Sequence, residues 1–277
     1  MAELPEITRL AAQMNETLSG KTIAQILLLQ ERCTNIPLTE LETRLVGRTV
    51  KRVYHKGKWI LTQLDGSENI LLSLGMGADV FYFVADAADP EKYQVKLLFE
   101  DKTGYTIRFW WFGKYLIASD DELPTENNTK GIAIDPYDER FTTEYFENLL
   151  SGKKTAVKTF LMDQKKVGGI GNMYMHDILF RAGVHPQTKI SELPAAKIQA
   201  LYDGIRDTLF LSREKGAFFY ESDFFGNKGK YGMDDFLVGY KEGQPCPTCG
   251  TPIELIKTGS TSSYICPKCQ PTRRTKT

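Results

Sequence analysis

The sequence predicts an α+β multidomain protein: a β-sandwich led by a helix, then a helical module, then a four-cysteine zinc finger, along 277 residues. Three observations carry this prediction. Between Thr22 and about Trp111 the chain reads as short strands broken by glycine turns. Beyond Leu123-Pro124 apolar positions recur at helical spacing, and near the end four of the five cysteines form Cys246-x-x-Cys249 and Cys266-x-x-Cys269. The chain is long for one core, so domains are expected at 1–124, 125–239 and 240–277.

Residues 5–19 form the leading helix, because Ile7, Leu10, Ala11, Met14 and Leu18 share one face, Pro5 suits a first turn and Gly20 a stop. Strands are predicted at Ile23–Leu29, Thr49–Tyr54, Trp59–Leu64, Asn69–Leu74, Val80–Val84, Tyr93–Phe99 and Tyr105–Trp111, with turns at Gly57, Asp65-Gly66 and Thr103-Gly104. Such strands suggest two packed layers. The polar stretch through Asn127, Asn128, Gly131 and Asp135-Pro136 marks a domain boundary. Helices follow at Thr142–Ser151, Thr155–Asp163, Asn172–Ala182 and Leu193–Lys215, the last carrying Leu201, Ile205, Thr208 and Leu209 on one side. Residues 216–239 are rich in glycine and aromatics, with Phe218, Phe219, Tyr220, Phe224, Phe225 and Tyr231, and read as a loop that can close over something.

Each Cys-x-x-Cys pair lets two thiolates face one ion from a tight turn, and two pairs complete the shell of a structural zinc. Gly250 and the prolines at 245, 247, 252 and 267 keep both turns out of helix. Two disulfides or a redox pair are the alternatives that spacing leaves, and Cys33 reads as a small buried hydrophobe. Met1 to Glu6 lacks a basic region followed by an apolar run, and no segment is apolar over a membrane-spanning length. The chain is therefore expected to be soluble and cytoplasmic, with no membrane partner.

Net charge is zero, which argues against indiscriminate nucleic-acid binding, yet the sign varies locally. Lys153, Lys154, Lys158, Lys165, Lys166, Arg181 and Lys189 crowd one stretch, and Lys268, Arg273, Arg274 and Lys276 the tail. Either cluster can neutralise phosphates, and either alone is equally a solvated face or a disordered tail. Within the basic stretch, Val167-Gly168-Gly169-Ile170-Gly171-Asn172 lies between two predicted helices. Its glycines would expose amide hydrogens and Asn172 would cap the next helix, whose positive end attracts an anion; by itself the stretch is also consistent with a plain turn.

Glu3-Leu-Pro-Glu6, Leu74-Gly75-Met76-Gly77, Gly169-x-Gly171-Asn172-x-Tyr174, Ala182-Gly183-Val184-His185-Pro186 and the four-cysteine finger occur in that order. Together they resemble the formamidopyrimidine-DNA glycosylase and endonuclease VIII family of base-excision repair, over nearly the whole chain. The resemblance implies a catalytic β-sandwich, a helix-two-turns-helix DNA-binding domain with an aromatic lesion-capping loop, a zinc finger holding one structural Zn2+, and damaged double-stranded DNA in the cleft between the halves. It further implies a monomeric DNA glycosylase with abasic-site lyase activity on oxidised or ring-opened bases, associated with the nucleoid in a bacterium.

The same resemblance assigns residues. The nucleophile is the α-amine at position 2 after loss of Met1, here Ala2, and such an amine, with a pKa of about 7.7 to 8, is usefully unprotonated near neutrality. Glu3 is the catalytic carboxylate, Glu6 the second acid behind it, and Lys58 a hairpin lysine on the phosphate beside the lesion. Lys158 and Asn172 contact phosphates in the helical module, with Tyr174 packed beneath. Met76 and Phe112 are wedges that fill the gap left by an extruded base.

Three positions depart from the family pattern. Ala2 stands where proline is usual, Trp110 and Trp111 replace two arginines, and Thr261, five residues before Cys266, replaces a phosphate-gripping arginine. Trp110 is expected to offer stacking in place of hydrogen-bonded reading of the orphaned base, or to belong to the sandwich core. Taken together the departures motivate an alternative, a damaged-DNA-binding protein of the same fold that does not cut. A zinc ribbon on an unrelated sandwich enzyme is the reading outside DNA repair.

Overall fold

The computed structural model describes residues 2–85 and 87–272, so the predicted basic residues Arg273, Arg274 and Lys276 lie outside the described residues. The chain divides into two compact units, Met1–Gly131 with Lys215–Lys230, and Ile132–Glu214 with Tyr231–Thr277.

The first unit opens with α1 (Leu4–Leu18) and continues through β1 (Ile23–Leu28), α2 (Leu38–Leu45), β2 (Val50–Lys56), β3 (Trp59–Leu64), β4 (Glu68–Ser73), β5 (Ala78–Phe83), β6 (Val95–Phe99), β7 (Gly104–Phe109) and β8 (Lys114–Ser119). Two four-stranded antiparallel sheets result, ordered β1-β6-β7-β5 and β2-β3-β4-β8. Alternation decides the faces: Ile60, Leu64, Ile70, Leu72, Tyr115 and Ile117 join the main core, while Leu61, Leu71, Leu116 and Ala118 form a second cluster. Helix α1 adds Ile7, Leu10, Ala11, Met14 and Leu18 to the main core, the face its spacing predicts.

Two elements of this unit were not anticipated. Helix α2 follows Pro37 and buries Leu41 and Leu45, one turn apart, and β8 pairs with β4 along its whole length.

Residues 215–230 belong with this unit rather than with the helical domain expected to hold them, and they are fastened rather than loose. Asp223 accepts from Arg9 Nη2, from Gln13 Nε2 at 2.9 Å and from the Asn227 amide at 2.8 Å. The Phe224 amide donates to Gln13 Oε1 at 3.0 Å, its carbonyl accepts from the Tyr82 amide at 2.9 Å, and its ring is fully buried in the main core. The expected closing loop is therefore a pinned wall, because one buried aromatic and one buried carboxylate anchor it at successive positions.

The second unit contains α3 (Thr143–Leu150), α4 (Val157–Met162), α5 (Asn172–Ala182), α6 (Ala195–Glu214) and a hairpin of β9 (Glu254–Thr258) and β10 (Thr261–Ile265). Helices α5 and α6 approach closely at Gly204, where an added Cβ would lie 2.9 Å from the Ile178 carbonyl oxygen. The cysteine region is not a separate body, since Cys246, Cys266 and Ile253 pack with Phe180 and Val238. Asp177 of α5 fixes the preceding corner by accepting from the amides of Leu237, Val238 and Gly239 at 2.7–3.0 Å. Among the described residues, no helix is long and apolar enough to cross a membrane.

Truncating Phe224 to alanine removes a fully buried ring, so F224A is expected to cost about 3–5 kcal/mol in denaturant unfolding and to open residues 215–230 to proteolysis.

Candidate functional site

In the first unit the N-terminal carboxylates are held by the start of α1. Glu3 is the N-cap, and its amide donates to Glu6 Oε2 at 2.9 Å. The other oxygen of the same carboxylate, Oε1, accepts from the Phe218 amide at 3.0 Å. Glu6 thereby joins the first residues to the aromatic wall. Ala2 is 4% exposed and Glu3 fully buried, a setting in which a carboxyl is screened from bulk water. Lys58 lies in the two-residue turn between β2 and β3, the hairpin position expected of it, and Gly57, at φ +57°, supplies the left-handed position beside it.

Two connections of the sandwich bring the wedge residues together. The Met76 amide donates to the Trp111 carbonyl at 2.9 Å and the Trp110 amide to the Gly77 carbonyl at 3.0 Å, which binds the β4–β5 turn to the β7–β8 turn. Neither Gly75 nor Gly77 has room for a side chain, since an added Cβ would sit 2.2 Å from Trp111 O or 2.3 Å from the Trp110 ring. Met76, Trp111 and Phe112 are 53%, 68% and 79% exposed, an apolar cluster of the kind that marks a binding surface. Phe112 holds φ +57°, rare for an aromatic residue and characteristic of functional turns.

Trp110 departs from its expected role. Its ring lies against Gly77 and edge-on to Tyr220 at 5.5 Å, and its Nε1 donates to Asp79 Oδ2 at 3.3 Å. Half-buried in this way, it ties the wedge turn to the aromatic wall, while its neighbour Trp111 is the open ring.

In the second unit the predicted phosphate contacts are placed differently from one another. Lys158 is 3% exposed, and its Nζ donates to Thr258 Oγ1, Ser262 O and Ser263 Oγ at 2.8–2.9 Å. All three acceptors belong to the β9–β10 hairpin, so the amine is spent on holding that hairpin. Burial lowers its pKa to about 8. A cavity of about 470 Å³ beside it is lined by Thr159, Asp163, Gln187 and the hairpin turn Thr258–Thr261, and Thr261 closes the hairpin by pairing with Thr258. The glycine stretch also departs from expectation: Gly168 donates to Ile134 O and Gly169 to Gln164 Oε1, so those amides serve internal bonds.

Asn172 is the first residue of α5, whose cap is Gly171, and its side-chain nitrogen lies 3.4 Å from Nε2 of His176 one turn on. His176 is buried, which together with the nearby charge of Lys158 holds its pKa down to about 3. Tyr174 is fully buried, hydrogen-bonded to Ser212 at 2.6 Å and edge-on to Tyr231, which makes it support rather than surface.

The four cysteines converge. Their sulfurs all lie within 4.8 Å of one another, with Cys246–Cys269, Cys249–Cys266 and Cys249–Cys269 separations of 3.8, 3.4 and 3.5 Å. Four sulfurs about 2.3 Å from one zinc stand roughly 3.8 Å apart, whereas a disulfide needs about 2 Å, so the geometry fits one structural Zn2+ and excludes the disulfide alternative. Amides of Thr248 and Cys269 donate to Cys246 and Cys266 sulfurs, as expected where thiolates need stabilising. Gln270, missed in the sequence, is buried, accepts from the Cys266 amide and donates to the Val184 carbonyl, joining the metal turn to the end of α5.

The Lys158 environment sets a pH dependence. Unfolded, the amine keeps its proton to about pH 10.4, whereas folded it releases it near 8, so the unfolded state binds more protons between these values. Stability relative to a Lys158→Met variant is therefore expected to rise with pH from about 8 to 10.4 and to be flat below 8, as read by denaturant unfolding of both proteins.

Comparison with known proteins places these features in one family. Residues 1–110 match the formamidopyrimidine-DNA glycosylase N-terminal domain, residues 132–219 the formamidopyrimidine-DNA glycosylase H2TH domain, and residues 243–272 the zinc finger found in FPG and IleRS. The chain is similar to the formamidopyrimidine-DNA glycosylase of Bacillus subtilis (strain 168), with 31% identity over 98% of this chain and 99% of that one. It is 32% identical to that of Roseiflexus sp. (strain RS-1), over 98% of this chain and 100% of the relative. In fold it is similar to the Lactococcus lactis Fpg solved in complex with an abasic site containing DNA, with a TM-score of 0.88 at 24% identity, covering 98% and 100% of the two chains. The chain belongs to the formamidopyrimidine-DNA glycosylase family.

Proposed function

We propose that the chain is a base-excision DNA glycosylase with abasic-site lyase activity, removing oxidised or ring-opened bases from duplex DNA through the α-amine of Ala2. The observation that carries this reading is the Glu6 carboxylate, which fixes the Glu3 amide on one side and the Phe218 amide on the other. With Met1 removed, the Ala2 amine attacks C1′ of the damaged nucleotide. The bond from C1′ to the base breaks, and the base leaves with a proton. Glu3 protonates the sugar ring oxygen as the ring opens, and loss of a proton from nitrogen gives the imine. Abstraction of a C2′ proton then expels the 3′ phosphate. A primary amine such as that of alanine supports each step, as proline's secondary amine does through an iminium.

Family membership and the relatives' enzyme names support this reading over a damaged-DNA binder that does not cut. Lys58 supplies a cation for the phosphate beside the lesion. Met76, Phe112 and, in place of the predicted Trp110, the open ring of Trp111 fill the gap left by the extruded base. The protein acts as a monomer on damaged double-stranded DNA in the cytoplasm, and the zinc finger, held by Cys246, Cys249, Cys266 and Cys269, supplies a rigid hairpin rather than chemistry.

Glu3→Gln is expected to lower single-turnover base release from an oxidised-base duplex about 10²–10⁴-fold. Glu6→Gln keeps one acceptor and is expected to lose less; equal activity of Glu3→Gln and the parent would contradict the assignment. Because Trp111 stacks without reading hydrogen bonds, rates opposite the four normal bases are expected to lie within about tenfold of one another. Trp111→Ala is expected to weaken abasic-duplex binding by about 1–3 kcal/mol whatever the opposite base, as measured by titration.

A further inference from the structure

The structure places a histidine between the zinc hairpin and the residue read above as a phosphate contact. His176 is 2% exposed, with Tyr264 edge-on at 5.1 Å. Its Nδ1 accepts the Tyr264 amide hydrogen at 3.3 Å. That amide lies on β10, which pairs only with β9 in its sheet, and it directs a donor at the ring. An Nδ1 that accepts carries no proton, so the neutral ring holds its hydrogen on Nε2.

This tautomer determines what Asn172 presents. With its nitrogen at 3.4 Å from Nε2, two donors would face each other, while Asn172 Oδ1 would be buried without a hydrogen-bond partner. Exchanging the amide's oxygen and nitrogen, which are nearly alike in size and shape, resolves both at once. Oδ1 then accepts from Nε2–H, and the NH2 takes the enclosed position of the present Oδ1, a donor without a partner in the first turn of α5, where the helix dipole favours an anion.

We propose that His176 is a positioning residue: it receives the Tyr264 amide on Nδ1 and donates from Nε2 to Asn172 Oδ1, so that Asn172 offers a DNA phosphate its NH2 and not its carbonyl. The zinc hairpin thus sets the polarity of the phosphate contact through two hydrogen bonds. Burial of the ring, with the Lys158 charge nearby, keeps the imidazole neutral and preserves the relay. This inference rests on the reading of Asn172 as a phosphate contact, and the experiment separates the two.

The test uses the zinc-loaded full chain and a duplex carrying a tetrahydrofuran abasic site. Long-range nitrogen–proton correlation spectra of the free protein are expected to show His176 as the Nε2–H tautomer; an Nδ1–H tautomer or an imidazolium overturns the proposal. His176→Phe, which keeps the ring and removes the donor, is expected to raise Kd and KM about tenfold while kcat moves less than twofold. Parental Kd in that variant overturns the relay. Asn172→Asp keeps an oxygen for Nε2–H, so the tautomer is expected to persist while duplex binding falls at least as far, which decides the matter should His176→Phe fail to fold. Parental binding by Asn172→Leu overturns the phosphate reading itself and leaves the tautomer to stand alone.

Discussion

One carboxylate organises the proposed reaction centre. Glu6 accepts from the Glu3 amide with one oxygen and from the Phe218 amide with the other, and it is almost wholly buried. A buried carboxylate with both oxygens occupied is rigid, because loss of either bond would leave a charge without compensation. The first residues of α1 and the aromatic wall are therefore set by the same group. Arg9 and Gln13, one and two turns further along the helix, continue the attachment through Asp223 and Phe224. Helix α1 thus holds its apolar face in the sandwich and gives its polar side to residues 215–230.

The second unit is organised by the zinc hairpin. Lys158 donates three hydrogen bonds into it, Gln270 ties its metal turn to the end of α5, and His176 receives an amide from β10. Because the hairpin has only two strands, most of its outer hydrogen-bonding groups are available to such partners. The metal therefore acts through the backbone positions it enforces, and Thr261, in a turn rich in hydroxyls, forms part of that frame.

Much of this was legible in the sequence, and the reasons differ by element. The core face of α1, most sandwich strands and the four helices of the second unit follow from apolar period, since burial leaves a regular imprint. The cysteine spacing announced the metal turns because coordination geometry constrains sequence directly. Helix α2 was obscured by its shortness and by Pro37 among strands, and β8 by the tryptophan turn that precedes it. Side-chain roles were harder to read. Lys158 looks like any surface lysine until its three acceptors, about a hundred residues away in sequence, are known. The wall at 215–230 reads as a loop because Asp223 and Phe224 find their partners on α1 and β5, which no local pattern encodes. For Asn172 and His176 the four-residue spacing was a signal, and only the Tyr264 amide gives it direction.

The central claim is that the nitrogen of Ala2 bonds to a deoxyribose carbon. The most direct measurement is borohydride reduction of the protein with an abasic-site duplex, followed by mass spectrometry of the trapped peptide. The expected result is a protein lacking Met1 whose sugar adduct maps to the Ala2 amine. An adduct on a lysine side chain, or none from protein that has lost Met1, would contradict the account.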